Sequence, residues 1–187
     1  MEALIRRLQE FHVVEPLAVE AIEAAFTELT LPKYELLVEQ GKTCRHLYFL
    51  EKGALRGFYT LDGKEVTHWF GFENDFVTSF HSFITQQPAV ENIQLIEGSV
   101  LRAISKDQLT ALLNRFPSVE RLLRIAYENY YIRLEERYVN AHFRSAAERY
   151  EDLLARQPHI IERVPLGQIA AYLGITQETL SRVRSKY

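Results

Sequence analysis

The spacing of apolar positions divides the chain into a helical start, a strand-rich middle and a helical end. Apolar residues recur every three or four positions across residues 2–30, which predicts helices throughout that stretch. Pro16 fits the first turn of a second helix, where its missing N–H has no intrahelical partner in any case, and Pro32 closes the region. We therefore expect the chain to begin with two helices.

Short aromatic and β-branched runs replace the helical period across residues 33–104. Turn sequences separate the runs. Asp62-Gly63 is a good hairpin marker, because a type I′ turn needs a positive φ at both of its central residues. Several short antiparallel strands at this spacing predict a β-sandwich, roll or barrel.

The helical period returns after Lys106, and residues 118–157 contain neither Gly nor Pro. Apolar and aromatic side chains occupy more than one face of this segment, so the helix has to bury two sides. One face could cover the strands while the other pairs with a second copy of the chain; the alternative is a single wide core face. One stripe of apolar positions consists of Val119, Leu123, Ala126, Tyr130, Leu134 and Ala141. The apolar residues beside it are Leu122, Ile125, Tyr127, Tyr131, Ile132 and Tyr138.

Residues 164–187 carry the most specific pattern. Pro165 opens a short helix, Gly174 suits a turn position with positive φ, and Thr176 is the expected N-cap of a second helix. The inward positions are Ile169, Ala170, Leu173, Ile175, Leu180 and Val183. This arrangement predicts a helix-turn-helix, against the alternative of an ordinary helical hairpin with a solvated polar face.

The outer face of that second helix has the side chains that read DNA. Arginine donates two hydrogen bonds to guanine, glutamate accepts from cytosine, and serine and glutamine reach phosphates or adenine. The predicted DNA-contacting residues are Thr176, Gln177, Glu178, Thr179, Ser181, Arg182, Ser185 and Lys186, with Arg184 near the end of the helix.

The distribution of charge along the chain agrees with a DNA-binding C-terminal part. The net charge is −3, yet residues 1–120 carry 11 Lys and Arg against 17 Asp and Glu, whereas residues 121–187 carry 11 against 8. A basic tail behind an acidic front is compatible with binding a polyanion, although so small a surplus is weak evidence alone. There is no run of about 20 apolar residues and no signal-peptide pattern, so we expect a cytoplasmic protein with no membrane partner.

The whole layout resembles the bacterial Crp/Fnr family of transcription regulators. In that family the recognition helix reads Arg or Gln, Glu, Thr, Val or Leu, Ser or Gly, Arg; here residues 177–182 read QETLSR. The resemblance implies that Glu178 and Arg182 read bases and that Gln177 contacts a base or a phosphate. It also implies a homodimer held by the long helix, double-stranded DNA and RNA polymerase as partners, and a β-hairpin wing. Because the sequence stops at Tyr187, we expect most or all of that wing to be missing, whether naturally or by shortening.

The family's cyclic-nucleotide binders hold the phosphate with a Gly-Glu pair and a later arginine, and both are replaced here. Thr78 and Ser79 occupy the positions of the Gly-Glu pair. No arginine occurs between Arg56 and Arg102, and Glu91 lies near the position where the arginine is expected. The lost charge-assisted contact is worth about 1.5–3 kcal/mol, so we expect cyclic AMP not to bind. Either the roll holds another small effector or the region is a polar loop on a ligand-free roll; the candidate contacts are Thr78, Ser79, His81, Ser82 and Glu91.

An enzyme or metal protein is the competing interpretation. A β-roll with six histidines invites comparison with cupin metalloenzymes, but His46, His68 and His81 contain no His-x-His pair. One cysteine, Cys44, excludes an intrachain disulfide and a Cys-only metal site. No P-loop, GxGxxG or Gly-x-Ser-x-Gly occurs. We expect no catalytic or metal site and no cofactor; the alternative is a small-molecule-binding or cupin-like roll whose helical tail does not bind DNA.

The predicted fold class is α+β, with three parts. Residues 1–116 form a cyclic-nucleotide-binding-like antiparallel β-roll of jelly-roll type with flanking helices, residues 117–142 form the long dimerisation helix, and residues 143–187 form the DNA-binding domain.

Overall fold

The structure, a computed structural model, describes residues 1–185. Two helices open the chain, α1 (Glu2–Phe11) and α2 (Pro16–Ala25). The strands are β1 (Thr27–Leu31), β2 (Leu36–Val38), β3 (His46–Lys52), β4 (Leu55–Leu61), β5 (Lys64–Gly71), β6 (Phe76–Val77), β7 (Asn92–Leu95) and β8 (Ser99–Ser105). The remaining helices are α3 (Phe80–Thr85), α4 (Lys106–Arg115), α5 (Pro117–Phe143), α6 (Ala146–Arg156), α7 (Ile160–Arg163), α8 (Leu166–Tyr172) and α9 (Gln177–Arg184).

The strands form two four-stranded sheets, ordered β1-β8-β3-β6 and β2-β7-β4-β5, in which every pairing is antiparallel. The β4–β5 hairpin turns at Asp62 (φ 50°) and Gly63 (φ 74°), so the predicted turn with two positive φ angles is confirmed. The fully buried interior is aliphatic and aromatic, with Phe49, Leu50, Leu55, Phe83, Ile93, Leu95, Leu101 and Ile104 at its centre. This is the antiparallel roll that the short apolar runs predict.

The helical prediction for residues 2–30 is wrong at its end. Phe26 adopts an extended conformation (φ −87°, ψ 129°) and ends α2, and Thr27–Leu31 pairs with β8 along its whole length. The apolar spacing from Phe26 to Leu29 imitates a helical turn, but Thr27–Leu31 forms the edge strand of its sheet and pairs with β8. Tertiary pairing therefore overrides the local pattern.

The long helix α5 ends at Phe143, and the side chains that follow favour the start of a new helix. Arg144 is extended (φ −112°, ψ 146°), and Ser145 with Glu148 forms a capping box that begins α6. Only the first part of α5 is covered, since Val119 and Leu122 are its buried residues. The run without Gly or Pro is thus two helices, with the break close to the expected boundary at 142.

A second apolar core joins the C-terminal helices to the roll. Ala54, Phe72 and Ile96 of the roll pack with a set from the helices: Tyr150, Leu153, Ile160, Val164, Ile169, Ala170, Leu173 and Leu180. The position of α9 relative to the sheets is therefore fixed by a packed interface rather than by a linker. Within residues 1–185, no helix is long and apolar enough to traverse a bilayer.

Gly57 provides a test of the packing inside the roll. A Cβ at Gly57 would lie 2.0 Å from Nε1 of Trp69, whereas a Cβ at Gly98 would have no heavy atom within 4 Å. We predict that Gly57→Ala lowers the free energy of unfolding by about 1–3 kcal/mol and shifts the emission of Trp69, the only tryptophan. Denaturant titration of Gly57→Ala beside Gly98→Ala measures this; equal stability and equal emission in the two variants would contradict it.

Candidate nucleic-acid interface and ligand pocket

Helices α8 and α9 are joined by a tight turn at Leu173–Thr176. Gly174 has a φ of +64°, a conformation that costs glycine little. The Thr176 hydroxyl accepts a hydrogen bond from the backbone N–H of Thr179 at 3.2 Å and so caps α9. The predicted turn glycine and N-cap therefore occupy the positions that the sequence indicates.

One side of α9 is buried and the opposite side is open. Leu180 lies in the second core with 1% of its surface exposed, and Val183 is half-buried. Thr176, Gln177, Glu178, Ser181, Arg182, Arg184 and Ser185 are exposed, and Thr179 is half-buried. Lys186, the last of the predicted contacts, lies outside the described residues.

The polar side chains of α9 are restrained by short-range hydrogen bonds. Arg182 Nη2 donates to Thr179 Oγ1 at 3.2 Å, and Ser185 Oγ donates to the carbonyl oxygen of Arg182 at 2.9 Å. Hydrogen bonds from its own backbone N–H and from Thr176 hold the pKa of Glu178 below its ordinary value. The exposed face thus presents a charged carboxylate and a guanidinium one helical turn apart, which matches the donors and acceptors at base edges.

Arg149 of α6 ties this helix pair to the end of α5. Its guanidinium donates to the carbonyl oxygen of Leu173 at 2.6 Å and to that of Arg144 at 2.8 Å. Asn140 of α5 also donates to Asp152 of α6 at 3.0 Å. Through Arg149, the C-terminal end of α5 is therefore linked by hydrogen bonds to the turn between α8 and α9.

Arg163 links the same helices to the roll. Its two terminal nitrogens bind Glu73 in a bidentate pair at 2.8 Å each, and its Nε donates to Glu97 at 2.9 Å. The guanidinium also lies 5.2 Å from the centre of the Phe72 ring. Burial alone would raise the pKa of Glu73, but hydrogen bonds from Arg163 and from the Gly53 backbone outweigh it and lower that pKa to about 2.

The far part of α5 exposes apolar side chains. Tyr131 is 67% exposed and Phe143 is 76% exposed; Ile132, Leu134, Tyr138 and Val139 are also on the surface. Tyr127, Tyr131, Leu134 and Tyr138 follow the 4, 3, 4 spacing of a coiled-coil seam. Contiguous exposed apolar surface of this kind usually marks an association site.

Three of the five candidate ligand contacts do not face a shared pocket. Thr78 Oγ1 donates to the backbone carbonyl of His46 at 2.9 Å. Ser82 Oγ accepts from the Cys44 backbone N–H and donates to the carbonyl of Gln87, and His81 is exposed on α3. Thr78 and Ser82 thus join neighbouring loops of the roll.

Ser79 and Glu91 do come together, inside the roll and facing α5. The Glu91 carboxylate accepts from Trp69 Nε1 at 3.1 Å and lies 2.8 Å from His68 Nε2. Ser79 is fully buried and its hydroxyl has no hydrogen bond of good geometry, although it lies close enough to Glu91 to lower that pKa. Burial opposes the shift, but hydrogen bonds from His68 and Trp69 outweigh it, so Glu91 stays a carboxylate.

Aromatic rings and one arginine lie around Ser79 and Glu91, and the sequence pattern does not single them out for this role. Tyr59 stacks on His68 with ring centres 4.4 Å apart. Tyr130 of α5 is close enough to Glu91 and Arg137 for both to affect its pKa, which burial raises. Arg137 is half-buried, but nothing in the local pattern around it distinguishes it from the other arginines of α5, so the sequence carries no signal for it.

Arg56 and Arg102, which border the arginine-free residues 57–101, are both engaged by protein partners. Arg56 is buried, with Nη2 2.8 Å from Gln94 and 2.5 Å from Glu65. Arg102 binds Glu28 and Glu51. In the described part of the chain, no three His, Cys, Asp or Glu side chains are grouped so as to hold a metal ion.

Comparison with known proteins agrees with this architecture. Residues 28–116 match the family profile of the cyclic nucleotide-binding domain, as expected for the roll. FixK2 of Bradyrhizobium japonicum is similar over 86% of this chain and 83% of its own, with a TM-score of 0.73 and 20% identity. No curated protein sequence matches significantly.

Two further solved structures share the fold. The catabolite activator protein of Thermus thermophilus has a TM-score of 0.61 and 22% identity over 96% of this chain and 85% of its own. The c-di-GMP responsive global regulator CLP of Xanthomonas campestris has a TM-score of 0.67 and 18% identity over 92% and 91%. At such identities the likeness shows a common fold.

The Arg163 link predicts a pH dependence of stability. Because Glu73 has a pKa of about 2 in the folded chain and an ordinary value of 4.5, its contribution is present above pH 4.5 and is lost as the pH falls towards 2. We predict that Glu73→Gln weakens the fall in unfolding free energy between pH 5 and pH 2. Denaturant titrations across that range, with exposed Glu2→Gln as the control, measure it. Parallel curves for wild type and Glu73→Gln would contradict the assignment.

Proposed function

We propose that this protein is a DNA-binding transcription regulator of the Crp/Fnr type, and not an enzyme. The observation that carries the proposal is α9: a capped helix with a buried Leu180 and an exposed face bearing Gln177, Glu178, Ser181 and Arg182. Such a face is shaped and charged for the major groove. The common fold with a catabolite activator protein and a global regulator supports the assignment.

The functional unit is a homodimer paired through α5. The exposed apolar seam of α5 needs cover, and a parallel pairing of two such helices would place two α9 helices about 34 Å apart, one turn of DNA. Two copies would then read a roughly palindromic site. Contact with RNA polymerase, implied by the resemblance, remains a prediction.

The sensor is proposed not to use cyclic AMP. Glu91 is a buried carboxylate at the place where a phosphate would need a cation, and the Arg56 and Arg102 side chains are engaged elsewhere. Ser79, Glu91, His68 and Trp69 form instead a set of polar groups under an aromatic wall. A ligand that fits them would present hydrogen-bond donors rather than a phosphate.

Substitution of Arg182 tests base recognition most directly. We predict that Arg182→Ala costs about 1–3 kcal/mol of binding to the preferred duplex and relaxes specificity at one base pair per half-site, because a bidentate base contact is lost. Arg184→Ala, near the end of α9, is the control and should weaken binding without changing the preferred sequence. Selection of bound duplexes followed by sequencing compares the two variants. An unchanged sequence preference for Arg182→Ala would remove Arg182 from the base-reading role.

The dimer is tested at Leu134, which is 43% exposed on the α5 seam. We predict that Leu134→Glu shifts the protein from dimer to monomer in sedimentation equilibrium, since two carboxylates would face each other in an apolar seam. Leu36→Glu makes the same change at a leucine that is 41% exposed on β2 and should leave the mass unchanged. A Leu134→Glu variant that remains dimeric would place the interface elsewhere.

A further inference from the structure

A separate cavity of about 450 Å³ lies between α1, α4, α5 and the strands β3 and β6. Its walls are mostly aliphatic and aromatic, and its aromatic members are Phe11, Phe26, Phe76, Phe80, Tyr127 and Tyr130. Ala126 of α5 lies on the wall and leaves space there that a larger side chain would fill. The proposed DNA-binding surface does not reach this space, and the Glu91 cluster shares only Tyr130 with its lining.

The charged residues at this cavity neutralise one another. Arg7 pairs with Glu10, and Arg133 lies 3.4 Å from Asp75. The lining therefore offers no surplus charge for an anion or a cation. Its chemistry suits a neutral molecule, with aromatic rings that favour edge-to-face or stacked contacts.

The size of the cavity favours a small molecule over a protein segment. Small-molecule sites usually have volumes of about 300–1,000 Å³ and mainly apolar walls. One turn of helix, about 10 Å across, would already fill this volume, so a longer helical segment would extend beyond the cavity. A small ring system could be enclosed by α1 on one side and α5 on the other.

We propose that this cavity binds a neutral, predominantly apolar small molecule that contains an aromatic ring. Leu123 and Tyr127 line both the cavity and the open apolar groove on α5 that includes Tyr131. A bound molecule therefore contacts the back of the surface that pairs in the proposed dimer. An influence of this molecule on the dimer rests on the proposed function, whereas the binding of the molecule to the cavity does not depend on it.

The test uses the full chain and the neutral fluorescent probe N-phenyl-1-naphthylamine. We expect saturable binding of one probe per chain, and we expect Ala126→Phe to weaken it about tenfold or more by occupying the space. Ala155→Phe, the same change at an exposed position of α6 that lines neither the cavity nor the groove on α5, should leave probe binding unchanged. Ala126→Leu provides a smaller filling variant if the phenylalanine disturbs folding, which thermal unfolding would reveal.

Several results would contradict the proposal of a small-molecule site. Probe binding that is absent or not saturable, or that Ala126→Phe and Ala126→Leu leave unchanged, would overturn the proposal. Binding that disappears as protein concentration rises and dimers form would show that a second copy fills the space instead, and would overturn it too. Because none of these readouts uses DNA, failure here is distinct from failure of the regulator assignment.

Discussion

The structure depends on the docking of its C-terminal helices onto the roll. Phe72 and Ile96 supply the apolar part of that contact, and Arg163 joins the two sides by binding Glu73 and Glu97 at once. Charge-assisted, bidentate pairs fix orientation as well as distance. With Arg149 holding the end of α5 to the α8–α9 turn, the exposed face of α9 is positioned from two directions, by the roll and by the long helix.

This arrangement connects the roll to α9 through the long helix. Tyr130 of α5 packs against Phe80 with ring centres 4.1 Å apart, so the start of α3 touches the long helix directly. Phe80, Tyr130 and Arg149 thus connect the roll, the long helix and the α8–α9 turn through direct contacts.

Periodicity predicts most of the elements here because their burial follows local sequence. The Asp62-Gly63 hairpin, the Gly174 turn and the Thr176 cap depend on the backbone preferences of single residues, and all three are present. β1 was missed because its partner strand lies some seventy residues away along the chain, with Thr27 opposite Ala103. The contacts of Arg163 with Glu73 and Glu97 are likewise long-range, and no spacing rule links such residues to their partners. The roles of the DNA-contacting residues and of the ligand candidates remain predictions.

Selection of bound duplexes from a random DNA pool, with and without cyclic AMP, tests the central claim most directly. The account predicts one roughly palindromic motif whose half-sites lie about one turn of DNA apart and which is recovered equally in both pools. A motif that appears only with cyclic AMP would contradict the proposal that the region around Glu91 does not bind a cyclic phosphate. The absence of any motif in both pools would contradict the assignment of α9 as a helix that reads DNA in the unliganded protein.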